Sequence, residues 1–496
     1  MKRKEQRNEE LPKESQDLKE LTEKLKQSKD FKEYKLKGKN KCVLYYFETL
    51  VDPKTVNKQI LQSIKGHSFR SLEGMEEALP VEGTSITDEL STIRDKVMLG
   101  HVVIALEDTA KEVLLVPAPS EETRKVSIPE VEFSVVGPKE AFVESLDTNI
   151  NLVRKRLPLP QFTVKEMNIG KVTKTRVAVL YIDGIANEEN VNTVIQRLND
   201  IEYDQINDSS YISQMLADNS HSPFPQILDT ERPDRVTGSL GEGKIAIMVD
   251  GAPHALTCPT TVVEFFSASD DYFSPWPVAS IFRIIRLFAV FFSVLSSPIY
   301  VAILTYHHEM IPDDLLPTII SSRSDIPFPP ILEVIILELA IELLREAGAR
   351  LPTKVGQTIG IVGGIVIGTA AVDAGLTSNV LLIIVALAAL ASFTTPIYQI
   401  SNTIRLIRFP FLLGAQMWGL VGISIVMVFF IGHLIKLTSI GRPFLAPIYP
   451  LRFRDLKDAF IRLPFNRQTK RPIQARSNDP LRFNPKRAKE RRDIDE

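Results

Sequence analysis

The stretch Ile284-Ile-Arg-Leu-Phe-Ala-Val-Phe-Phe-Ser-Val-Leu-Ser-Ser-Pro-Ile-Tyr-Val-Ala-Ile-Leu-Thr-Tyr306 divides the chain into two parts of different character. It is the first apolar run long enough to span a hydrocarbon core of about 30 Å, which needs about 20 residues. Arg283 and Arg286 stand at its beginning, whereas Glu309 and Asp313 follow its end. Because cytoplasmic flanks of membrane helices are enriched in Lys and Arg, we expect the half before this stretch to be cytoplasmic.

The N-terminal residues show no secretory signal, since their charges lead into no apolar run. Residues 1–40 alternate in charge and contain few large apolar side chains, so we predict a mostly disordered arm in which Leu18 to Leu25 could form a short amphipathic helix. The two cysteines, Cys42 and Cys258, lie far apart and indicate neither a disulfide framework nor a metal site.

Two segments of similar pattern follow, and each predicts an α/β subdomain, over residues 41–150 and 158–275. In each unit a strand precedes a helix, and a hairpin led by glycine comes later. The matching features are the strands at Val43 and Val179, the helices Thr55 to Ile64 and Val191 to Leu198, and the hairpins at Gly100 and Gly243. This order indicates an internal duplication, with chance similarity as the alternative. A helix from Ala141 to Arg156 is expected to join the units.

Neither unit carries the pattern of a catalytic or cofactor site. There is no phosphate-binding loop, no nucleophile elbow and no paired Cys/His spacing. The glycines of Gly238-Ser-Leu-Gly-Glu-Gly precede a strand rather than a helix, so they indicate a turn. We therefore expect no enzyme, no cofactor and no metal. His307-His308-Glu309, which resembles a set of metal ligands, is interpreted as polar capping at a helix end.

The segment from Pro327 to Glu346 combines helical periodicity with four carboxylates. At 100° per residue, Glu338, Glu342 and Glu346 fall within about an 80° arc, and Glu333 lies off that stripe. Each charge at mid-bilayer costs about 2.5–3.5 kcal/mol, while each Ile or Leu returns only about 0.3–0.6 kcal/mol. A helix that faces lipid is therefore excluded. The segment is either an interfacial amphipathic helix or a helix that lines a pore or vestibule.

The next apolar segment repeats glycine at every fourth position, at Gly356, Gly360, Gly364 and Gly368. Such a ridge of small residues lets membrane helices approach closely. We interpret it as a surface for tight packing, either around an oligomer axis or within one subunit.

Two further spans are predicted, Val380–Ile400 and Phe411–Leu434. Thr394-Thr395-Pro396 predicts a kink in the first of them, because proline removes a helical hydrogen bond. Arg405 and Arg408 stand between the two spans.

The complete pattern predicts an α+β and membrane all-α chain, in which two α/β cytoplasmic subdomains precede a polytopic helical membrane domain over residues 280–440. The tail, residues 451–496, carries 14 Lys and Arg against 7 Asp and Glu, so it is expected to be cytoplasmic. Two cytoplasmic ends require an even number of crossings. The loop charges leave four and five membrane helices both open, according to whether the Glu-bearing helix crosses.

Six stretches carry a family resemblance and together cover roughly residues 140–465. They are Asn149-Ile-Asn-Leu-Val-Arg-Lys-Arg-Leu, Ser222-Pro-Phe-Pro-Gln, Thr230-Glu-Arg-Pro-Asp, Pro327-Phe-Pro-Pro, Leu344-Arg-Glu-Ala-Gly-Ala-Arg-Leu-Pro and Gly360-Ile-Val-Gly-Gly-Ile-Val-Ile-Gly. With these, the chain resembles the A subunit of the GerA family of spore germination receptors. It departs from the family at Gly241-Glu-Gly-Lys, where the usual Gly-Arg is replaced but a base is kept.

The resemblance implies a location in the inner membrane of endospores. It also implies two partner subunits: a permease-like B subunit that receives the nutrient, and a lipoprotein C subunit. Self-association into a pentamer that forms a nutrient-gated channel for monovalent cations is implied as well, with membrane lipids as surroundings and no nucleic acid. A related sporulation-stage protein that modulates germination is an alternative within the same family.

For the channel we assign Glu338, Glu342 and Glu346 to the cation pathway, because rings of acidic side chains favour cations. Val362 and Val366 are candidate apolar constrictions, and the glycine ridge serves helix packing. These valines share a face distinct from the ridge, so both project inward only if the helix is rotated. The alternative function is a non-conducting signalling scaffold for the permease-like partner.

Overall fold

The computed structural model describes residues 18–36, 42–67, 69, 71–106, 112–120, 129, 132, 136–351, 363–364 and 368–483. In this part of the chain, two five-stranded sheets are followed by a bundle of helices and a C-terminal tail.

The first sheet is covered by helices on both faces. Its strands are β1 (Phe31–Leu36), β2 (Cys42–Phe47), β3 (Ser85–Thr87), β4 (His101–Leu106) and β5 (Val113–Pro117). Its helices are α1 (Leu18–Leu25), a π-helix (Thr55–Leu61) that continues as α2 (Gln62–Gly66), α3 (Leu72–Ala78) and α4 (Leu90–Met98). Because successive side chains of a strand point to opposite faces, Ile104 packs on the side of α2 and α3, and Val103 packs on the side of α1 and α4.

The second sheet repeats this arrangement. Its strands are β6 (Phe162–Ile169), β7 (Thr175–Ile182), β8 (Leu228–Thr230), β9 (Ile245–Val249) and β10 (Ala255–Cys258). Its helices are α5 (Leu146–Arg156), α6 (Glu188–Asn199), α7 (Ser209–Leu216) and α8 (Pro233–Gly241). Val179 packs with α6 and α7, while its neighbour Leu180 packs with α5 and α8. Burial on both faces explains why β7 and β9 are nearly continuous apolar runs.

The strand orders β1-β2-β4-β5-β3 and β6-β7-β9-β10-β8 are the same permutation. The predicted like order of the two units is thereby confirmed. Two details of the prediction are wrong. The described strand pairs are all antiparallel, so each unit is α+β rather than α/β. Helix α5 begins at Leu146, where Ser145 caps it, rather than at Ala141; it packs into the core of the second sheet, and its residues Asn151 and Arg154 contact the first unit.

The predicted disordered arm over residues 1–40 is wrong for residues 18–36: the short helix considered for Leu18 to Leu25 forms as α1, and β1 follows it. The apolar side chains of Leu21, Leu25 and Phe31 are buried against the first sheet. Asp30 is also buried, and its carboxylate accepts a hydrogen bond from Arg154 at 2.8 Å. Apart from Asp30, the charged residues of this segment lie at positions that are at least partly exposed.

The helical part begins with α9 (Asp270–Phe273) and α10 (Trp276–Tyr306). It continues with α11 (Leu316–Arg323), α12 (Pro330–Ala349), α13 (Asn379–Ser392) and α14 (Tyr398–Lys436), and ends with a short hairpin of β11 (Thr438–Ser439) and β12 (Arg442–Pro443). Two short 3-10 helices also occur: Val262–Phe266 follows the second sheet, and His308–Met310 follows α10. The tail contains α15 (Phe453–Phe460) and two 3-10 turns, Phe465–Arg467 and Ile473–Ala475.

The bundle has a sheet end, at Arg283 and His433, and a distal end, at Tyr306 and Gly419. At the sheet end, Arg283 pairs with Asp271 at 3.2 Å, and Ser222 of the second sheet contacts His433 at 2.9 Å. At the distal end, the Tyr306 hydroxyl donates to the carbonyl of Gln416 at 2.8 Å. Helix α10 therefore runs from the sheet end to the distal end.

Helix α14 is two antiparallel arms rather than one straight helix. Trp418 and Gly419 have non-helical backbone angles, with φ +61° at Gly419. The arms cross closely at Gly414 and Gly422, where a Cβ on Gly422 would overlap the Gly414 carbonyl. The predicted single span Phe411–Leu434 is therefore wrong: it joins parts of both arms, because both are apolar and the turn between them is too short to interrupt the pattern.

Helices α12 and α13 run from the distal end toward the sheet end. Ser378, just before α13, contacts the Tyr300 hydroxyl at 3.1 Å near the distal end, and the carbonyl of Ser392 accepts from Ser401 at 3.1 Å near the sheet end. The predicted span Val380–Ile400 is therefore too long, since α13 ends at Ser392. The predicted kink at residues 394–396 is a complete break before α14.

The first arm of α14 contains Arg405 and Arg408, which the sequence places between two spans. By length and composition, two described helices could cross a membrane, α10 and the kinked α14. The tail returns to the second sheet: the amide of Asn478 donates to the carbonyl of Ile185 at 2.9 Å, and Arg482 contacts Glu242 at 2.7 Å. The sheets and the tail thus lie at the same end of the bundle.

Candidate functional site: a charged cluster inside the helical bundle

A buried ion pair joins α12 to the first arm of α14. Arg408 and Glu338 form this pair, and they are 3% and 7% exposed. The same carboxylate accepts from the hydroxyl of Ser297 at 3.2 Å, and Arg408 donates to the hydroxyl of Ser293 at 2.8 Å. Ser293 and Ser297 are four residues apart on α10, so they share one face. A charge this deep needs a partner with hydrogen bonds, and three helices together supply them.

A second pair lies nearer the distal end. Glu333, at the start of α12, is fully buried and accepts from Arg323 of α11 at 2.8 Å. Its other carboxylate oxygen has no hydrogen-bond partner within the described part of the chain. This contact connects α11 to α12 and explains how a carboxylate off the Glu stripe is accommodated.

The other two carboxylates of the stripe lie toward the sheet end and are accessible. The Glu342 side chain is 49% exposed, pairs with Arg345 and approaches Arg405 at 3.8 Å. The Glu346 side chain is 61% exposed and pairs with Arg350 at 2.6 Å. The structure therefore separates the three predicted pathway residues: Glu338 is buried and neutralised, and Glu342 and Glu346 remain at the surface.

Two of the four ridge glycines, Gly356 and Gly360, lie outside the described residues, as do both candidate constrictions, Val362 and Val366. The other two ridge glycines can be placed. Gly368 is buried, and a Cβ there would lie 3.6 Å from the side chain of Leu382 in α13. Gly364 is exposed, and a Cβ there would meet no atom of the described chain within 4 Å.

Among the described glycines of this segment, Gly363 is the one that lies close to α12. A Cβ on Gly363 would lie 2.6 Å from the side chain of Leu344. Gly363 precedes Gly364 in the chain, and a Cβ on each would project in a different direction. The exposed position of Gly364 leaves that part of the ridge available for contact outside the chain.

Sequence reasoning missed the cations that complete the cluster. Arg408 looked like a loop residue, because charges usually interrupt a membrane span. The signal that could have located it is the Glu stripe itself, since a carboxylate on an apolar helix requires a buried cation. Ser293 and Ser297 gave a second signal, as two hydroxyls four residues apart, and so on one face, within the apolar run that follows Arg286.

The residues at the end of α10 hold the turn of α14. The amide of Leu420 donates to Nε2 of His307 at 3.4 Å. His308 and Glu309 continue into a 3-10 turn. Within the described residues, no group of three or more His, Cys, Asp or Glu side chains could hold a metal ion.

The bundle is docked onto the second sheet through both arms of α14. The hydroxyl of Thr403 donates to the carbonyl of Pro223 at 2.6 Å. Beyond the second arm, Asp218 accepts from the amide of Gly441 at 2.8 Å and from the hydroxyl of Thr438. The hydroxyl of Ser439 accepts from the amide of Thr260 at 3.0 Å. A displacement of the second sheet would therefore act directly on both arms.

The histidine His254 lies near this contact together with two carboxylates. His254 Nδ1 is 3.3 Å from Asp229, and its Nε2 is 3.9 Å from Glu231. The hydrogen bond to Asp229 raises the pKa of His254, although partial burial opposes it. Asp229 also accepts from Gln399 of α14 at 3.4 Å. The protonation of His254 is thereby linked, through Asp229, to α14 at the sheet end of the bundle.

Comparison with known proteins gives consistent results over nearly the whole chain. The family described as Bacillus/Clostridium GerA spore germination protein matches residues 19–474. Spore germination protein GerQA of Bacillus cereus is 50% identical over 469 residues, which cover 94% of this chain and 94% of the relative. Spore germination protein GerIA of Bacillus cereus is 48% identical over 461 residues, which cover 92% of this chain and 69% of the relative.

Among solved structures, the crystal structure of the N-terminal domain of the A subunit of the Bacillus megaterium spore germinant receptor GerK3 is 32% identical, with a TM-score of 0.37. It covers 49% of this chain and 92% of that chain. The family match and the two relatives of about half-identical sequence are decisive. The chain belongs to the GerA family of spore germination proteins and is a germinant receptor A subunit that acts in spore germination.

Proposed function

We propose that this chain oligomerises in the inner membrane of the spore into a nutrient-gated cation channel. In this proposal the helical bundle is the polytopic membrane part and the two sheets are cytoplasmic. A permease-like subunit receives the nutrient, a lipoprotein subunit completes the receptor, and the chain itself assembles as a pentamer. The observation that carries the proposal is the exposure of Glu342 and Glu346 on the surface of α12.

The surroundings of these carboxylates support an assembly rather than an isolated bundle. Leu339 and Leu343 on the same helix are 49% and 71% exposed. A surface that mixes exposed leucines with carboxylates suits neither lipid nor an isolated chain in water, because a charge in hydrocarbon costs several kcal/mol. In a ring of copies, the leucines contact the neighbouring subunit and the carboxylates face a hydrated axis, where acidic rings favour cations.

The membrane placement is supported by large apolar side chains on the outside of the bundle. Phe288 of α10 is 69% exposed, and Val428 and Phe429 of α14 are 70% and 75% exposed. Helix α10 has 31 residues, which corresponds to roughly 46 Å at 1.5 Å per residue. That length exceeds a hydrocarbon core of about 30 Å, so the first turns extend into the interface.

The pathway in this proposal uses fewer residues than the stripe contains. Arg408 neutralises Glu338 within the chain, so Glu338 contributes little field to an axis. The selective charge then comes from Glu342 and Glu346 near the sheet end. Glu338 instead holds the helices that present them.

Cation flux into liposomes tests the proposal with the purified full-length protein. We expect potassium flux in which Glu346→Gln and Glu342→Gln each lower the preference for cations over anions. Glu202→Gln is the matched control, because Glu202 is an exposed carboxylate on the second sheet domain, 3.4 Å from Lys171. An oligomer that passes no ions, or one whose selectivity is unchanged in both variants, contradicts the proposal.

A non-conducting scaffold is the second candidate, and one observation favours it. The ion pair between Glu338 and Arg408 closes the middle of the bundle within a single chain, as expected of a rigid relay. Under this alternative, any flux in spores depends on the permease-like subunit. Reconstitution of the chain alone separates the two, since only the channel proposal expects flux without the partner.

A further inference from the structure

A cavity of about 160 Å³ lies where the C-terminal tail meets the beginning of α10 and the second sheet. Cations outnumber carboxylates among its lining residues, by five to three. The cations are Arg283, Arg452, Arg467, Lys470 and Arg482, and the carboxylates are Glu242, Glu264 and Asp455. The charge cluster within the bundle uses none of these residues.

The carboxylates of the cavity are already engaged. Glu242 pairs with Arg482 at 2.7 Å. Glu264 pairs with the buried Lys244, and Asp455 accepts from the amide of Ile473 at 3.1 Å. These three carboxylates therefore already have partners within the chain.

Three of the cations have no carboxylate partner among the described residues. Within the described residues, no carboxylate lies within ion-pair distance of Arg452, Arg467 or Lys470, and Nη1 of Arg452 is buried with no hydrogen-bond partner. An unsatisfied buried N–H costs about 1–3 kcal/mol, more for a charged group. Guanidinium groups bind phosphate oxygens with paired hydrogen bonds. The cavity is therefore suited to a phosphate group.

Large apolar side chains are exposed on two of the segments that contribute residues to the cavity. At the start of α10, Ile281 and Phe282 are 59% and 58% exposed. On the tail, Leu451, Phe453 and Phe465 are 54%, 73% and 61% exposed. Apolar side chains beside a basic site are typical of segments that lie in a membrane interface with their cations at the headgroups.

Arg462 fixes the tail in this position. Its side chain is buried, donates to the carbonyl of Tyr272 at 3.2 Å and stacks on the ring of Phe465 at 4.6 Å. The hydroxyl of Ser280 in α10 also donates to the Arg462 carbonyl at 3.3 Å. The tail is thus attached to the first turns of the helix that enters the membrane.

We propose that this cavity binds the headgroup phosphate of an anionic phospholipid, with Arg452, Arg467 and Lys470 as its ligands and the apolar side chains of the tail inserted beside it. The proposal rests on the membrane placement of the bundle proposed above, but not on ion conduction. It gives the C-terminal tail a defined role, because the lipid joins the tail, α10 and the second sheet at the membrane surface.

Native mass spectrometry of the purified full-length protein with added phosphatidylglycerol or phosphatidylcholine tests the site. We expect retained phosphatidylglycerol, and at least about tenfold weaker retention in the triple variant Arg452→Gln, Arg467→Gln, Lys470→Gln, since each base near a lipid surface contributes on the order of 1 kcal/mol. The control triple variant Lys54→Gln, Lys58→Gln, Lys65→Gln removes the same charge from exposed positions on the first sheet domain, outside the cavity. It should bind as the unmodified protein does.

Three results overturn the assignment: equal retention of both lipids, equal binding by the two triple variants, or displacement of the lipid by an equal concentration of glycerol 3-phosphate. The last would show that the cavity takes a free phosphate ester. Circular dichroism of each variant confirms that it is folded. Failure of the protein to enter liposomes at all would instead contradict the membrane placement, so the two proposals fail separately.

Discussion

At the scale of single residues, the pair of Glu338 and Arg408 determines how three helices of the bundle are held. Each charge is acceptable in the interior only because the other is present, and Ser293 and Ser297 satisfy further hydrogen-bonding positions. A buried pair of this kind contributes specificity of packing more than net stability. Its removal is therefore informative only when one partner and both partners are compared.

We expect Glu338→Gln to lower the free energy of unfolding by about 3–5 kcal/mol, because it leaves the Arg408 guanidinium buried without a counter-ion. Adding Arg408→Gln should cost less than the first change did. Thermal unfolding of the detergent-solubilised protein measures both. Glu346→Gln is the control and should be nearly neutral, since both members of its ion pair are exposed. Additive effects of the two substitutions would show that the pair is not coupled.

His254 predicts a dependence of stability on pH. Asp229, Glu231 and Asp208 surround the imidazole, and the hydrogen bond to Asp229 raises the pKa of His254 above its ordinary value of about 6.5. A raised pKa in the folded state stabilises the fold below the unfolded-state pKa, and that stabilisation is lost as pH rises through the folded-state pKa. We therefore expect the unmodified protein to lose stability relative to His254→Gln on going from pH 6 to pH 8.

Thermal melts of the full-length protein and of His254→Gln across this range check the prediction. A difference in melting temperature that stays constant with pH would contradict it. Because Asp229 also contacts Gln399 of α14, the protection of amides in the first turns of α14, corrected for the intrinsic pH dependence of exchange, should fall over the same interval in the unmodified protein but not in His254→Gln.

At the scale of elements, the turn of α14 depends on glycine at particular positions. Gly422 faces the backbone of Gly414 in the opposite arm, and Gly419 adopts a positive φ. We expect Gly422→Ala to destabilise the protein by about 1–3 kcal/mol or more, since the added methyl group overlaps the Gly414 carbonyl. Gly432→Ala is the matched control: a Cβ there meets no atom within 4 Å, and alanine in a helix is favoured by about 0.5–1 kcal/mol over glycine.

Chemical or thermal unfolding in detergent distinguishes the two substitutions. Equal stability of Gly422→Ala and Gly432→Ala would mean that the arms are not in close contact at this point. Preserved function in Gly432→Ala with lost function in Gly422→Ala would then assign the effect to packing rather than to the loss of a glycine.

The elements differ in how far the sequence could predict them. Strands such as Val179 to Ile182 were recognisable, because burial on both faces produces a continuous apolar run. The arms of α14 were not, because apolar composition records burial or lipid contact but not a reversal of direction. Arg408 also led to the wrong bounds of this span, because its counter-ion Glu338 lies 70 residues earlier in the chain. No local sequence pattern shows such a pair. Of the three predicted pathway carboxylates, Glu342 and Glu346 are exposed and Glu338 is buried.

At the scale of the whole molecule, the second sheet and the bundle form a mechanical connection at three points. Thr403 anchors the first arm of α14, Ser222 contacts His433 in the second arm, and Asp218 holds the hairpin that follows. The first sheet is farther along the same path: Asp30 pairs with Arg154 of α5, whose aliphatic neighbours lie in the core of the second sheet. A signal received by either sheet therefore has a continuous route of packed groups to the arms.

Asp218 is one of the groups that hold the hairpin after α14 to the second sheet domain, and it also pairs with Arg197. Its side chain is 12% exposed and accepts from the Gly441 amide and the Thr438 hydroxyl. Since hydrogen bonds to a charged group contribute about 1.5–3 kcal/mol each, Asp218→Ala should loosen residues 438–441 where they contact the second sheet domain, while Ser439 and Arg442 keep the hairpin attached and both sheets stay folded. We expect faster hydrogen exchange over those residues, together with a slower germination response of spores that carry the variant. Asp204→Ala is the control, because Asp204 is exposed on the same domain. Faster exchange without slower germination would show that the hairpin does not transmit the signal, and unchanged exchange would show that Asp218 does not hold it.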